Sequence, residues 1–141
     1  MRAIHPPAYA GGLLACFWIN ELALTKKQRI EVWKKSGGKC WYCGCELPER
    51  GWHADHFLPI IRESTGKCLR GHHDTVGNMV PSCASCNLFK ATFDIESFRR
   101  EIEAQKERVR NASSGFRIAE RMGLIEVKDK PVVFWFETQG F

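Results

Sequence analysis

Four cysteines are arranged in two pairs of identical spacing, Cys40-x2-Cys43 and Cys83-x2-Cys86. Two short knuckles of this kind bring four thiolates to one ion, and four sulfur ligands in tetrahedral geometry are typical of structural zinc. We therefore predict one structural Zn2+ site at these four residues. Cys45 turns the first pair into CxxCxC, so Cys45 in place of Cys43 stays open as an alternative ligand.

The dipeptide Asp55-His56 lies between the two cysteine pairs, and Asn87 directly follows the second pair. Hydrolysis of a phosphodiester needs a nucleophilic water molecule and positive charge on the phosphate. His56 is predicted to be the general base, because a neutral imidazole takes a proton from water near neutral pH. Asp55 and Asn87 are predicted to bind a catalytic Mg2+ or Mn2+ through oxygen atoms. Asn78 is predicted to hold the His56 ring, through its side chain or its backbone carbonyl.

The chain is basic, and its positive charge is unevenly distributed. It has 141 residues, 44% of them hydrophobic and 26% charged, which is typical of one globular domain, and its formal net charge is +5. Six basic residues and one acid lie between positions 26 and 39. Such a cluster favours a polyanionic partner, and we predict DNA, with a solvated helix face as the alternative. The predicted DNA contacts are Lys34, Lys35, Arg62 and Lys90.

The sequence lacks an apolar run of the length that crosses a membrane, so no membrane partner is expected. The apolar residues 11–19 have no convincing signal-peptide cleavage site after them, and they predict a packing element or an extension. The CxxC spacing fits a zinc clamp better than disulfides, which indicates a reducing compartment. We therefore expect a cytoplasmic protein.

Local signals predict the helices that position these residues. Thr25 is a typical N-cap for a helix over residues 26–35, with Ile30 and Trp33 on one face. Asp94 is the predicted cap of a longer helix, whose apolar residues recur at helical spacing. Shorter helices are predicted over residues 87–90 and 114–122.

Two short strands are predicted to carry the Asp-His dipeptide and to pair with it. Residues 52–58 form the first, and residues 78–80 form the second, which Pro81 stops. The segment between them begins at Pro59 and is predicted to be a long loop. A C-terminal antiparallel β-hairpin is predicted over residues 124–128 and 132–136.

Together these motifs resemble those of the zinc-stapled HNH endonucleases, whose core is the ββα-metal fold. The resemblance covers about residues 26–98 and rests on Cys40-x2-Cys43, Asp55-His56, Asn78, Cys83-x2-Cys86-Asn87 and Lys90. His56 matches the H of the family name and Asn78 its first N. Asn87 stands where many members have His. Phage junction-resolving endonucleases and McrA-like restriction enzymes also have Asn at this position. The C-terminal region is similar to small phage-encoded HNH proteins.

The resemblance implies a metal-dependent DNA endonuclease that leaves 5′-phosphate and 3′-hydroxyl ends. It implies an α+β fold with the ββα-metal core in residues 25–98. Residues 1–24 are then an N-terminal extension, and residues 99–141 a helical and hairpin extension of the same domain. The expected setting is a bacterial or phage-infected cell, where a homodimer or a phage-type protein partner is compatible with the motifs. Two other functions stay open: a non-catalytic zinc-dependent DNA-binding module, and an assembly protein.

Overall fold

The computed structural model describes residues 24–65 and 67–140. The predicted N-terminal extension, residues 1–24, lies outside the described residues except for Leu24, which packs against the core. None of the helices in the described ranges is long and apolar enough to cross a membrane.

The described residues form an α+β fold of helices and two small antiparallel sheets. The helices are α1 (Lys26–Lys34), α2 (Ala84–Lys90), α3 (Ile95–Ala112), α4 (Ser114–Arg121) and α5 (Trp135–Thr138). The strands are β1 (His53–His56), β2 (Ile61–Arg62), β3 (Cys68–Leu69) and β4 (Met79–Ser82).

Helix α1 begins where the sequence predicts, because Thr25 and Gln28 cap it reciprocally. The Gln28 backbone N–H donates to Thr25 Oγ1 over 3.2 Å, and the Thr25 N–H donates to Gln28 Oε1 over 2.9 Å. The two apolar residues predicted on one face of α1 differ in burial from Val32, which lies between them in sequence. Val32 is fully buried and Ile30 is 54% exposed, because α1 turns Val32 towards β4, against which it packs. Trp33 is half-buried, and its ring lies 5.4 Å from that of Trp52.

Strands β1 and β4 form the antiparallel pair that carries the Asp-His dipeptide. Asp55 lies opposite Val80, and Ala54 lies opposite Pro81. Pro81 was expected to stop the second strand, and this expectation is wrong, because β4 continues to Ser82. In the described sheet β4 has only β1 beside it, and a proline without N–H is tolerated on such an edge. The Pro81 carbonyl instead accepts a hydrogen bond from the Trp41 N–H over 2.8 Å, which ties the first knuckle to β4.

The segment after Pro59 is more ordered than the predicted long loop. Strands β2 and β3 pair in it as a small hairpin. Two 3-10 turns follow, at Gly71–His73 and Val76–Asn78. The segment therefore holds its side chains in defined positions, which matters for Asp74 below.

The structure confirms the predicted cap of α3 and the predicted end of α4. The Ser97 N–H donates to Asp94 Oδ1 over 2.8 Å at the start of α3. Phe98 is buried in the core, and Val109 near the end of α3 is 38% exposed, so the apolar stripe loses contact with the core there. Gly123 has a φ of +73° after α4, a conformation that glycine adopts readily.

The predicted C-terminal β-hairpin is wrong. Among the described residues after Gly123 there is no strand, and the apolar run ends in α5. The Trp135 N–H donates to the Tyr42 carbonyl and the Phe136 N–H to the Trp41 carbonyl, over 2.8 and 3.1 Å. Phe134 is buried and belongs to the same core cluster as Trp41 and Tyr42. The run therefore covers the first cysteine knuckle instead of pairing with residues 124–128.

Candidate functional site

The cysteine pairs converge on one point, as their spacing predicts. The sulfur atoms of Cys40, Cys43, Cys45 and Cys83 all lie within 4.8 Å of one another. The Cys43 and Cys83 sulfurs are 3.9 Å apart, close to the separation of two sulfurs on a tetrahedral ion with Zn–S bonds of about 2.3 Å. This cluster can hold a metal such as zinc.

A fifth thiol, that of Cys86, lies at the edge of the same cluster. Its backbone N–H donates to the Cys83 sulfur over 3.4 Å, and its thiol interacts with Cys40 and Cys83. The sequence prediction names Cys86 as the fourth ligand, whereas the mutually close set contains Cys45. Cys40, Cys43 and Cys83 belong to both sets.

The pKa values of the thiols in this cluster depend on one another, and their pattern favours a bound cation. A hydrogen bond from the Cys86 thiol, aided by backbone N–H groups and opposed by burial, lowers the pKa of Cys40 to about 4. The same bond and burial raise the pKa of Cys86 well above its usual range. Burial, followed by the bond to Cys43, raises the pKa of Cys45 to about 12. One thiolate thus suppresses the ionisation of its neighbours, and a divalent cation removes that repulsion.

Asp55 is buried, and two neighbours bind one of its oxygens. The Tyr42 hydroxyl donates to Asp55 Oδ2 over 2.5 Å, and the Lys90 ammonium lies 3.1 Å from the same atom. Burial, and then the Asp55 charge and hydrogen bond, raise the pKa of Tyr42 far above its usual value, so the hydroxyl stays a donor. Sequence reasoning missed Tyr42, because it occupies one of the two positions that the CxxC motif leaves unspecified.

Lys90 is a structural cation in the described conformation. Its side chain is 0% exposed, and its ammonium also donates to the His56 carbonyl over 2.7 Å. The predicted DNA contact is therefore wrong for Lys90, because a buried ammonium cannot reach a phosphate in solution. The salt bridge with Asp55 ties α2 to β1.

His56 has a different partner from Asp55, as expected for adjacent strand residues. Its Nε2 lies 2.8 Å from Asp74 Oδ1, and the two side chains are 10% and 12% exposed. Asp74 follows the first 3-10 turn. Sequence reasoning missed Asp74, because it lies 18 positions after His56 in a predicted loop. Nothing in the neighbouring sequence indicates that the two residues are in contact.

Asn78 fastens the backbone around His56. Its backbone carbonyl accepts from the Phe57 N–H over 2.9 Å. Its side-chain oxygen accepts from the Leu58 N–H over 2.9 Å, and its amide donates to the carbonyls of Leu58 and His73 over 2.8 Å each. The predicted contact with the His56 ring is therefore replaced by contacts with the chain on both sides of the His56–Asp74 pair.

Asn87 lies on α2, which packs against β1. It is half-buried and lies three positions before Lys90, so both residues face the same side of the helix. Within the described part of the chain its side chain has no hydrogen-bond partner. Asn87 is thus on the Asp55 side of the site with its amide oxygen uncommitted.

Lys35 has a structural role within the chain, and its predicted DNA contact stays a prediction. Its ammonium donates to the carbonyls of Val76, Gly77 and Met79 over 2.8, 2.9 and 2.7 Å. Burial lowers its pKa, with a smaller opposing effect from Glu31. Lys34 is exposed.

Lys35→Gln and Lys34→Gln are expected to separate a stabilising role of the first lysine from a DNA-binding role of the second. Lys35→Gln should lower the free energy of unfolding by about 2 kcal/mol, because three carbonyls lose a charged donor. Lys34→Gln should leave stability within about 0.5 kcal/mol. If Lys34 contacts a phosphate, its removal should make the log–log salt slope of DNA binding shallower by about 0.9. Urea unfolding and salt-dependent binding measure both; equal stabilities of the two variants would contradict the role of Lys35.

Comparison with known proteins yields little. No family model and no curated protein matches the chain. Among solved structures, the chain is similar to part of the crystal structure of the Type II-C Cas9 enzyme from Actinomyces naeslundii. The TM-score is 0.42 and the identity 19%, over 62% of this chain and 8% of the Cas9 chain. A similarity at this level carries no functional conclusion.

Proposed function

We propose that this protein is a metal-dependent DNA endonuclease with the ββα-metal core of the HNH family. The proposal is supported above all by the order of elements at the site. Strand β1 carries Asp55 and His56, β4 pairs with it, and α2 with Asn87 follows directly. The cysteine cluster joins the start of α2 to the first knuckle, so a structural zinc there would hold Asn87 beside β1.

A catalytic Mg2+ or Mn2+ fits the donors at Asp55 and Asn87. Both offer hard oxygen atoms, which these ions prefer. Tyr42 and Lys90 contact Oδ2 of Asp55, and among the described residues none hydrogen-bonds Oδ1. When bound there, such an ion supplies positive charge to the phosphate.

The residues of the chain divide the remaining work. Tyr42 and Lys90 hold the Asp55 carboxylate in one orientation through Oδ2. His56 takes a proton from a water molecule, whose oxygen bonds to phosphorus. The bond between phosphorus and the 3′ oxygen breaks, and that oxygen takes a proton from solvent. The products are 5′-phosphate and 3′-hydroxyl ends.

His56→Ala tests the proposal directly. We expect a loss of DNA cleavage of about 10²–10⁴-fold, because a general base contributes about that much. Zinc content and DNA affinity should remain, and excess Mg2+ or Mn2+ should not restore cleavage. His72→Ala is the matched control, because His72 is exposed in the nearby turn. Full activity of His56→Ala would remove the proposed mechanism.

Asn87→Ala tests the metal role on the same DNA substrate. Its half-maximal Mg2+ concentration should rise, and excess ion should restore cleavage, because only a ligand has been lost. Asn87 is preferable to Asp55 for this test, since removal of Asp55 would leave the buried Lys90 unpaired. Equal rescue of the His56 and Asn87 variants by metal would mean that the two roles are wrongly assigned.

The buried Asp55–Lys90 ion pair favours a second candidate, a zinc-dependent DNA-binding module without catalysis. In that case Asp55 joins β1 to α2 and binds no ion. Salt-sensitive DNA binding with no cleavage of plasmid, single-stranded or branched DNA in Mg2+, Mn2+ or Ni2+ would support it.

A further inference from the structure

The His56 ring is held by a carboxylate that the proposed mechanism has not used. Asp74 Oδ1 lies 2.8 Å from His56 Nε2, and both side chains are about nine-tenths buried. An ionised carboxylate only accepts hydrogen bonds, so the ring nitrogen that faces it must donate. A neutral His56 then carries its proton on Nε2 and has a lone pair on Nδ1. No described residue hydrogen-bonds Nδ1.

The backbone around this pair is fastened by one side chain. The amide group of Asn78 donates to the carbonyl of His73, the residue before Asp74, and to the carbonyl of Leu58, two residues after His56. Its oxygen accepts from the Leu58 N–H over 2.9 Å. Asn78 therefore joins the chain segments that carry the two partners, and it limits how far Asp74 can move from the ring.

We propose that Asp74 is a positioning residue that fixes His56 in the Nε2–H tautomer and so makes Nδ1 the atom that accepts the proton from water. This inference rests on the proposed hydrolytic function of the same site. When the water proton reaches Nδ1, the resulting imidazolium keeps its Nε2–H bond to Asp74, and the carboxylate balances the new charge. Asn78 acts through the backbone on both partners and does not touch the ring.

The tautomer can be read without any activity measurement. Long-range 1H–15N correlation spectra of zinc-loaded protein, in alkaline buffer where imidazole rings are neutral, distinguish protonated from bare ring nitrogens. The His56 signals are assigned by their loss in His56→Gln. We expect a protonated Nε2 and a bare Nδ1. A protonated Nδ1, or fast exchange between the two forms, would overturn the proposal.

Asp74→Asn is the decisive variant, because it keeps the size of the side chain. Its amide can turn to donate to Nε2, which selects the Nδ1–H tautomer, and the spectra should show that change. In the hydrolase triads, replacing the carboxylate by an amide has this consequence and leaves the geometry intact. An unchanged tautomer in folded, zinc-loaded Asp74→Asn would show that Asp74 does not select it.

Kinetics provide the second test. Asp74→Asn should lower kcat by about 10²–10⁴-fold and leave KM nearly unchanged, and Asp74→Glu should recover part of the loss. Glu63→Gln is the control, because Glu63 is an exposed acid of the same segment. Equal loss in kcat for the Asn and Glu variants with the wild-type tautomer would indicate a merely structural contact. If the wild-type protein cleaves no DNA, the proposed function fails, and the spectra still decide the tautomer.

Discussion

Replacing Cys83 by serine is expected to release the bound metal and to unfold the protein. Cys83 belongs to both candidate ligand sets, and its sulfur also accepts the Cys86 N–H at the start of α2. The binding free energy of a structural zinc is about 10–16 kcal/mol in small zinc domains, and it acts as folding free energy. A loss of that size exceeds the total stability of most single domains. Circular dichroism and metal content of the purified variant measure the outcome.

Cys68→Ser is the matched control, because Cys68 lies on β3, away from the cluster. It should keep one zinc ion per chain and a wild-type melting temperature. A folded, metal-free Cys83→Ser protein with an unchanged melting temperature would contradict the structural role of the metal. Metal content of Cys45→Ser and Cys86→Ser then identifies the fourth ligand, since only the true ligand is needed for a closed tetrahedral site.

Lys90→Met is expected to produce the second large effect. The variant leaves the Asp55 carboxylate buried with the Tyr42 hydroxyl as its remaining described partner. Breaking a buried ion pair by removing one partner costs about 3–5 kcal/mol, because the other charge stays in a medium of low polarity. The His56 carbonyl also loses its donor. Urea unfolding of zinc-loaded protein measures the loss.

The double variant Lys90→Met/Asp55→Asn should recover much of that stability, because no charge is then left unpaired. Lys106→Met is the control, since the Lys106–Asp129 ion pair lies at the surface and exposed pairs contribute little. A Lys90→Met protein as stable as the Lys106→Met protein would show that the Asp55–Lys90 pair does not hold α2 to β1. The 1H–15N spectra of Lys90→Met would show whether the His56 tautomer changes.

Local features of this protein follow from the sequence, because both partners lie within a few residues of each other. Thr25 and Asp94 cap their helices through N–H groups three positions later. Gly123 ends α4 in a backbone conformation that few other residues adopt. The cysteine knuckles belong to the same class, since the spacing within each pair brings its two sulfurs together.

The candidate site depends on partners that are distant in sequence, and only the tertiary structure identifies them. Asp74 contacts the His56 ring from 18 positions away in the sequence. Lys90 donates a hydrogen bond to the His56 carbonyl from 34 positions away. The sequence around Asp74 or Lys90 looks the same as that around a solvated charged residue. Their roles follow from burial, which only the tertiary structure shows. Arg62 lies on β2, and its predicted DNA contact stays a prediction.

The C-terminal region shows the same division in backbone hydrogen bonding. The consecutive apolar residues after Pro131 predict a segment that is buried or packs on a partner, and this segment does pack against the core. Their hydrogen-bond partners are the carbonyls of Trp41 and Tyr42 in the first knuckle, more than 90 positions earlier. A sequence pattern indicates that a segment is apolar, because that is a property of the side chains. Which backbone groups pair is decided by the packing of the whole chain, because every buried N–H and carbonyl must find a partner there.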